Sequence, residues 1–165
     1  MRLEGSCHCG AVHFTVESRT PYPYNRCYCS ICRKTAGGGG YAINIMGIAS
    51  TLRVTGEQHV SVYRAAHNDR GVYEADGLSP ARRHFCSKCG SALWVYGPDW
   101  PDWIYPFASA IDTPLPQAPE STHLMLAHRA SWVPVQAADH DRRFEHYPDT
   151  GIEEWHRQRG LLDDC

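Results

Sequence analysis

Cys27-Tyr28-Cys29-Ser30-Ile31-Cys32 brings three thiols into six residues, and the use made of those thiols decides what kind of chain this is. Two further groups flank it. Cys7-His8-Cys9 lies toward the N-terminus, Cys86-Ser87-Lys88-Cys89 lies further along, and Cys165 stands apart. Tetrahedral zinc takes four ligands, with sulfur at about 2.3 Å, and two cysteines in a tight turn can aim both thiolates at one ion. Each short pair is therefore half a site. Cys7, Cys9, Cys86 and Cys89 add up to one closed, structural zinc site, whereas Cys27, Cys29 and Cys32 form a tripod one ligand short of saturation. Structural zinc sites are closed and catalytic ones keep a position for water or substrate, so the tripod is the expected catalytic zinc site. Gly10 and Gly90 follow the two pairs, where a backbone turning round a metal needs the positive φ that glycine adopts most readily.

Other uses of the cysteines fit less well. A disulfide framework belongs to oxidising compartments. The start, Met1-Arg2-Leu3-Glu4-Gly5, lacks the apolar stretch of a signal peptide, so the expected address is the cytoplasm, where thiols stay reduced. A redox role for Cys86 and Cys89 lacks the strand, motif and long helix of a thioredoxin-like context. A histidine could close the tripod, since the chain has 10, with His67 or His84 folding in from a distance.

At 165 residues and 42% hydrophobic, the chain suits one domain over residues 1–165 with a core of its own. Its 16 basic and 18 acidic residues give a formal net charge of -2, the wrong sign for a nucleic-acid or acidic-membrane binder. No apolar run approaches the roughly 20 residues of a spanning helix. Alternating segments predict strands at 11–16, 41–46, 52–55, 59–64, 92–96, 104–108 and 123–127, and hence a mostly antiparallel β domain. Turns are expected at Gly56, Gly77 and Gly97. Helix is scarce: Ser30 is the expected cap of one short helix through Lys34, Thr150 of another over 151–159. The polar run 137–148 reads as a surface excursion.

Three stretches together resemble the glutathione-dependent formaldehyde-activating enzyme family, which also includes centromere protein V. They are Gly5-Ser6-Cys7-His8-Cys9-Gly10-Ala11-Val12, Arg26 through Lys34, and Phe85-Cys86-Ser87-Lys88-Cys89-Gly90-Ser91-Ala92-Leu93. A weaker likeness continues from His123 to Pro134, with Ser131-Trp132-Val133 in the place of the family's closing strand. The resemblance implies an Mss4-like (β-tent) fold of small antiparallel sheets, with a structural zinc on Cys7, Cys9, Cys86 and Cys89 and a catalytic one on Cys27, Cys29 and Cys32. It also implies carbon–sulfur lyase chemistry, joining or parting glutathione and formaldehyde. Tyr28 stands where many relatives carry histidine.

Three thiolates leave zinc a poor generator of hydroxide but a good partner for an incoming thiol, whose deprotonation it favours near neutral pH. With the resemblance, this makes the expected partners a small thiol such as glutathione and an aldehyde such as formaldehyde; a homo-oligomer is compatible with the sequence. Arg33 and the amides of Gly37, Gly38 and Gly39 are candidates for holding a carboxylate of that thiol. No acid or base can be named, although Tyr28, His8, His13, His67 and His84 are available. The Trp100 to Trp103 segment reads as an exposed loop: a lid, a dimer contact or a substrate wall. The rival reading is a non-catalytic zinc-stabilised module that binds a protein partner. A sulfoxide reductase would need a recycling cysteine, for which Cys165 alone is left.

Overall fold

A computed structural model describes residues 1–67 and 71–162. The first half holds β1 (Arg2–Ser6), β2 (His13–Glu17), β3 (Tyr24–Cys27), α1 (Ser30–Thr35), β4 (Ala42–Asn44), β5 (Gly47–Ile48), β6 (Arg53–Thr55) and β7 (Val60–Tyr63). The second holds β8 (Arg82–Cys86), β9 (Ala92–Tyr96), β10 (Trp103–Pro106), β11 (Ser121–Leu124), β12 (Arg142–Arg143) and α2 (Ile152–Gln158). Among the described residues the strands form three small sheets, ordered β1-β2-β6, β5-β10-β9-β8-β7 and β12-β11-β3-β4. This is the mainly β, Mss4-like architecture with short helices. All pairings are antiparallel except two: β11 runs parallel to β3 on one side and to β12 on the other.

Alternation builds the first two layers. In β2, Phe14 and Val16 point inward while His13 and Glu17 face solvent. Phe14 meets Trp94 of β9 edge to face, with ring centroids 5.1 Å apart. Leu3, Val12, Ile45, Leu93 and Ile104 complete this core. A second cluster surrounds the tripod: Cys27, Cys29 and Cys32 pack with Ala42, Val95, Phe107, Leu124 and Met125. β1 escapes a reading by alternation because its inward positions are Leu3 and Gly5, and Gly5 shows no side chain. A Cβ there would lie 2.4 Å from Phe14 and 2.5 Å from the Ala110 carbonyl, so the sheets close only over glycine.

Several local expectations are corrected. Ser131-Trp132-Val133 is a turn, not a strand: the Val133 N–H bonds the Ala130 carbonyl at 3.0 Å, Pro134 has no N–H to continue a ladder, and Trp132 is exposed. Cys29, not Ser30, caps α1, its sulfur accepting from the Cys32 N–H at 3.3 Å. Gly151, not Thr150, precedes α2. The 137–148 excursion is stitched to the third sheet. Asp141 accepts from the Ser121 and Ala138 N–H groups at 2.7 and 2.9 Å, and β12 then pairs with β11.

Candidate active site

Cys7 follows β1, and Cys86 ends β8; the same turn is built after each. The Gly10 N–H bonds the Cys7 carbonyl at 3.0 Å and the Gly90 N–H bonds the Cys86 carbonyl at 2.8 Å, with φ of 72° and 75° at the two glycines. The positive φ expected of both glycines is present. These twin knuckles bring the Cys7, Cys9, Cys86 and Cys89 sulfurs within 4.8 Å of one another, with Cys7–Cys9 at 3.6 Å and Cys9–Cys86 at 3.9 Å. Four sulfurs at about 2.3 Å from a tetrahedral zinc would be roughly 3.8 Å apart, so the cluster has the dimensions of a closed site. The Ser91 hydroxyl, 3.2 Å from the Cys89 sulfur, and neighbouring N–H groups hold the Cys89 thiol down at about 5, which favours a ligating thiolate.

Cys27 closes β3, Cys29 caps α1, and the first turn of α1 supplies Cys32. Their three sulfurs also lie within 4.8 Å, and all three residues are buried. Hydrogen bonding from Cys27, then from Cys32, draws the Cys29 thiol down to about 2 against the opposing effect of burial, and the Arg83 charge helps. Cys27 is pushed well above its ordinary value, first because its proton serves Cys29. Among the described residues no histidine or carboxylate joins these three sulfurs, and His67 and His84 are not part of the cluster. His67 is exposed, and His84 stacks on Trp94 at 5.1 Å, beside a different cavity.

The tripod opens onto a cavity of about 220 Å³. Its polar lining includes Asn25, Asn44 and Arg83, and its apolar walls include Val95, Trp100 and Ile152. Trp100 meets Tyr105 edge to face at 5.5 Å and thus serves as a wall. Trp103 instead donates its indole N–H to Glu153 of α2 at 3.0 Å. Arg33 and Gly37, Gly38 and Gly39 do not line this cavity. Arg33 has a buried Nε without a partner, and Gly38 faces open space. Of the suggested acids and bases, His8 and His13 are exposed, and Tyr28 is buried with its hydroxyl 2.9 Å from His123 Nδ1. Cys165 lies outside the described residues. Arg83, Asn25 and Asn44 escape a reading from sequence, since only the strand register shows which residues of a polar strand face inward.

The sequence model of the glutathione-dependent formaldehyde-activating enzyme family matches residues 2–125, a span that contains all seven clustered cysteines. The chain belongs to this family. A Halomonas elongata protein provisionally named a glutathione-dependent formaldehyde-activating enzyme is 59% identical over 162 residues, covering 98% of each chain. Among solved structures, the chain is similar to a structural-genomics crystal structure of a Rhodobacter sphaeroides protein, with 27% identity and a TM-score of 0.51 over 70% of this chain and 92% of that one. The family match ends before α2, yet Gly151 and Ile152 from that end of the chain line the tripod cavity. No helix among the described residues is long and apolar enough to cross a membrane.

Proposed function

We propose that this chain is a zinc-dependent carbon–sulfur lyase-type enzyme, a single cytoplasmic domain that joins or parts a glutathione-like thiol and a formaldehyde-like aldehyde. The observation that carries the reading is the meeting of three buried cysteines, unaccompanied by another ligating side chain among the described residues, with a cavity. Zinc held by Cys27, Cys29 and Cys32 would favour the thiolate form of an incoming thiol near neutral pH. Cys7, Cys9, Cys86 and Cys89 would hold a second, structural zinc.

In the joining direction, the substrate sulfur adds to the aldehyde carbon and a C–S bond forms. The carbonyl π pair moves to oxygen, and that oxygen takes up a proton equivalent to the one lost by the thiol. The reverse breaks the C–S bond and releases both. Val95, Trp100 and Ile152 exclude water from the reacting carbon, while the polar side of the cavity orients the thiol. For a ligand longer than the cavity, Arg33 with the amides of Gly37, Gly38 and Gly39 would supply an outer anion contact.

The test is formation and breakdown of the glutathione–formaldehyde adduct followed by NMR, with purified protein carrying two zinc ions. A rate above the spontaneous one that disappears on zinc removal is expected; a rate equal to the spontaneous one in both directions sinks the reading. Replacing Arg33→Ala should weaken glutathione binding severalfold while both zinc ions stay bound, and unchanged affinity removes Arg33 from the site.

A further inference from the structure

One cation in the tripod cavity has donors with nothing to bond. Arg83 sits on β8 opposite Val95 of β9, and both line the cavity that Cys29 and Cys32 share. Its Nε and Nη1 are closed off from solvent and have no hydrogen-bond partner among the described residues. Arg64, at the end of the neighbouring strand β7, is the opposite case. Its guanidinium bonds Glu74 at 2.5 Å, Asp76 at 3.0 Å and the Ser79 carbonyl at 3.0 Å. The fold therefore saturates one arginine with its own carboxylates and leaves another, a short distance along the same sheet, without an anion.

A buried charge lacking hydrogen bonds is strongly unfavourable unless something brings it a counter-charge. The cysteine sulfurs feel the Arg83 charge. Among the described residues, though, none of them accepts a hydrogen bond from it. An anion in the cavity would meet that charge, and a guanidinium matches a carboxylate in both charge and shape. Around that point the cavity offers further polar contacts from Asn25 and Asn44, which are direct partners across β3 and β4.

Resting on the reading that a thiol substrate comes to the tripod, we propose that Arg83 receives a carboxylate of that substrate, so that the cavity selects small acidic thiols over neutral ones. Arg83 is thus a binding and specificity residue. Cys29 and Cys32 mark the end of the cavity where the sulfur belongs, and Arg83 sets how the rest of the molecule lies.

Zinc-saturated full-length protein titrated calorimetrically with glutathione and with glutathione diethyl ester tests this. The ester keeps the thiol and loses both carboxylate charges. Glutathione is expected to bind about ten- to a hundredfold more tightly than the ester. In Arg83→Met that preference collapses toward one while affinity for the ester is kept; in Arg83→Lys part of it survives. Zinc content and far-UV circular dichroism report whether each variant is folded, and if Arg83→Met is not, the reduced preference in Arg83→Lys decides. A preference unchanged in the folded variant, or equal weakening of both ligands, overturns the assignment while leaving the lyase reading intact. Failure of both glutathione and its ester to bind the wild-type protein overturns the assignment and the lyase reading together.

Discussion

Cys9 and Cys89 are exposed, yet theirs is the cluster of four sulfurs; Cys27, Cys29 and Cys32 are buried, and all three line one cavity. The two clusters differ in origin as well as in ligand number. Four sulfurs come from knuckles that adjoin β1 and β8, strands of two different sheets, so a metal there would tie β1 to β8. Three sulfurs come from one strand end and the helix turn after it, so a metal there adds no long-range tie within its own ligand set. Linking distant segments stabilises a fold, whereas local assembly leaves the site's surroundings to decide its chemistry. Under the proposed reading, burial alone is therefore a poor guide to which cluster serves catalysis.

That contrast can be broken most decisively at the closed cluster. Cys86→Ser should remove the structural metal and, with it, about 3 kcal/mol or more of stability; urea unfolding together with zinc analysis reads this, and a stable variant with two zinc ions would erase the distinction. Cys29→Ser should leave a folded protein with one zinc and a catalytic rate reduced by at least about a thousandfold. Equal destabilisation by Cys29→Ser and Cys86→Ser would show that both clusters are structural. Gly56→Ala sharpens the comparison from the protein side. Gly56 has φ of 84°, and a Cβ there would lie 2.0 Å from the Ala11 carbonyl, beside the first knuckle. A loss of about 1–3 kcal/mol with the tripod's activity intact is expected, measured by the same unfolding curves.

The smallest effect concerns the third sheet, which carries Cys27. Burial of Asp141 works against ionisation, but the Ser121 and Ala138 N–H groups hold its carboxyl below the usual range. A carboxyl depressed in the folded state contributes stability that is present above the ordinary aspartate range and lost as pH falls through the depressed value. Asp141→Asn should therefore flatten the acid limb of stability below about pH 4, while both zinc contents at pH 7 stay unchanged. An acid limb identical to that of the wild type would remove Asp141 as its source.

Ligand chemistry is local, which is why the cysteines were legible without a structure. The spacing of Cys7 with Cys9 and of Cys86 with Cys89 implies a tight turn, and the glycine after each pair supplies the conformation that turn needs. The strands with inward apolar residues, such as 92–96, were legible for the same reason. β1 was not, because an inward glycine is invisible to alternation, and neither was the parallel pairing of β11 with β3. These two strands meet across about a hundred residues of chain, and no short-range signal records that.

By itself the sequence determined the family, the grouping of the cysteines and the inequality between four of them and three, because each depends on residue type and close spacing. Tertiary structure alone decided that Arg83, rather than Arg33, lies in the tripod cavity, that Trp100 forms its wall while Trp103 binds α2, and that the 137–148 segment is held to a sheet. Those choices depend on register and on which distant segment covers which strand face. Many weak contacts distributed along the chain settle them, and no short motif encodes the result.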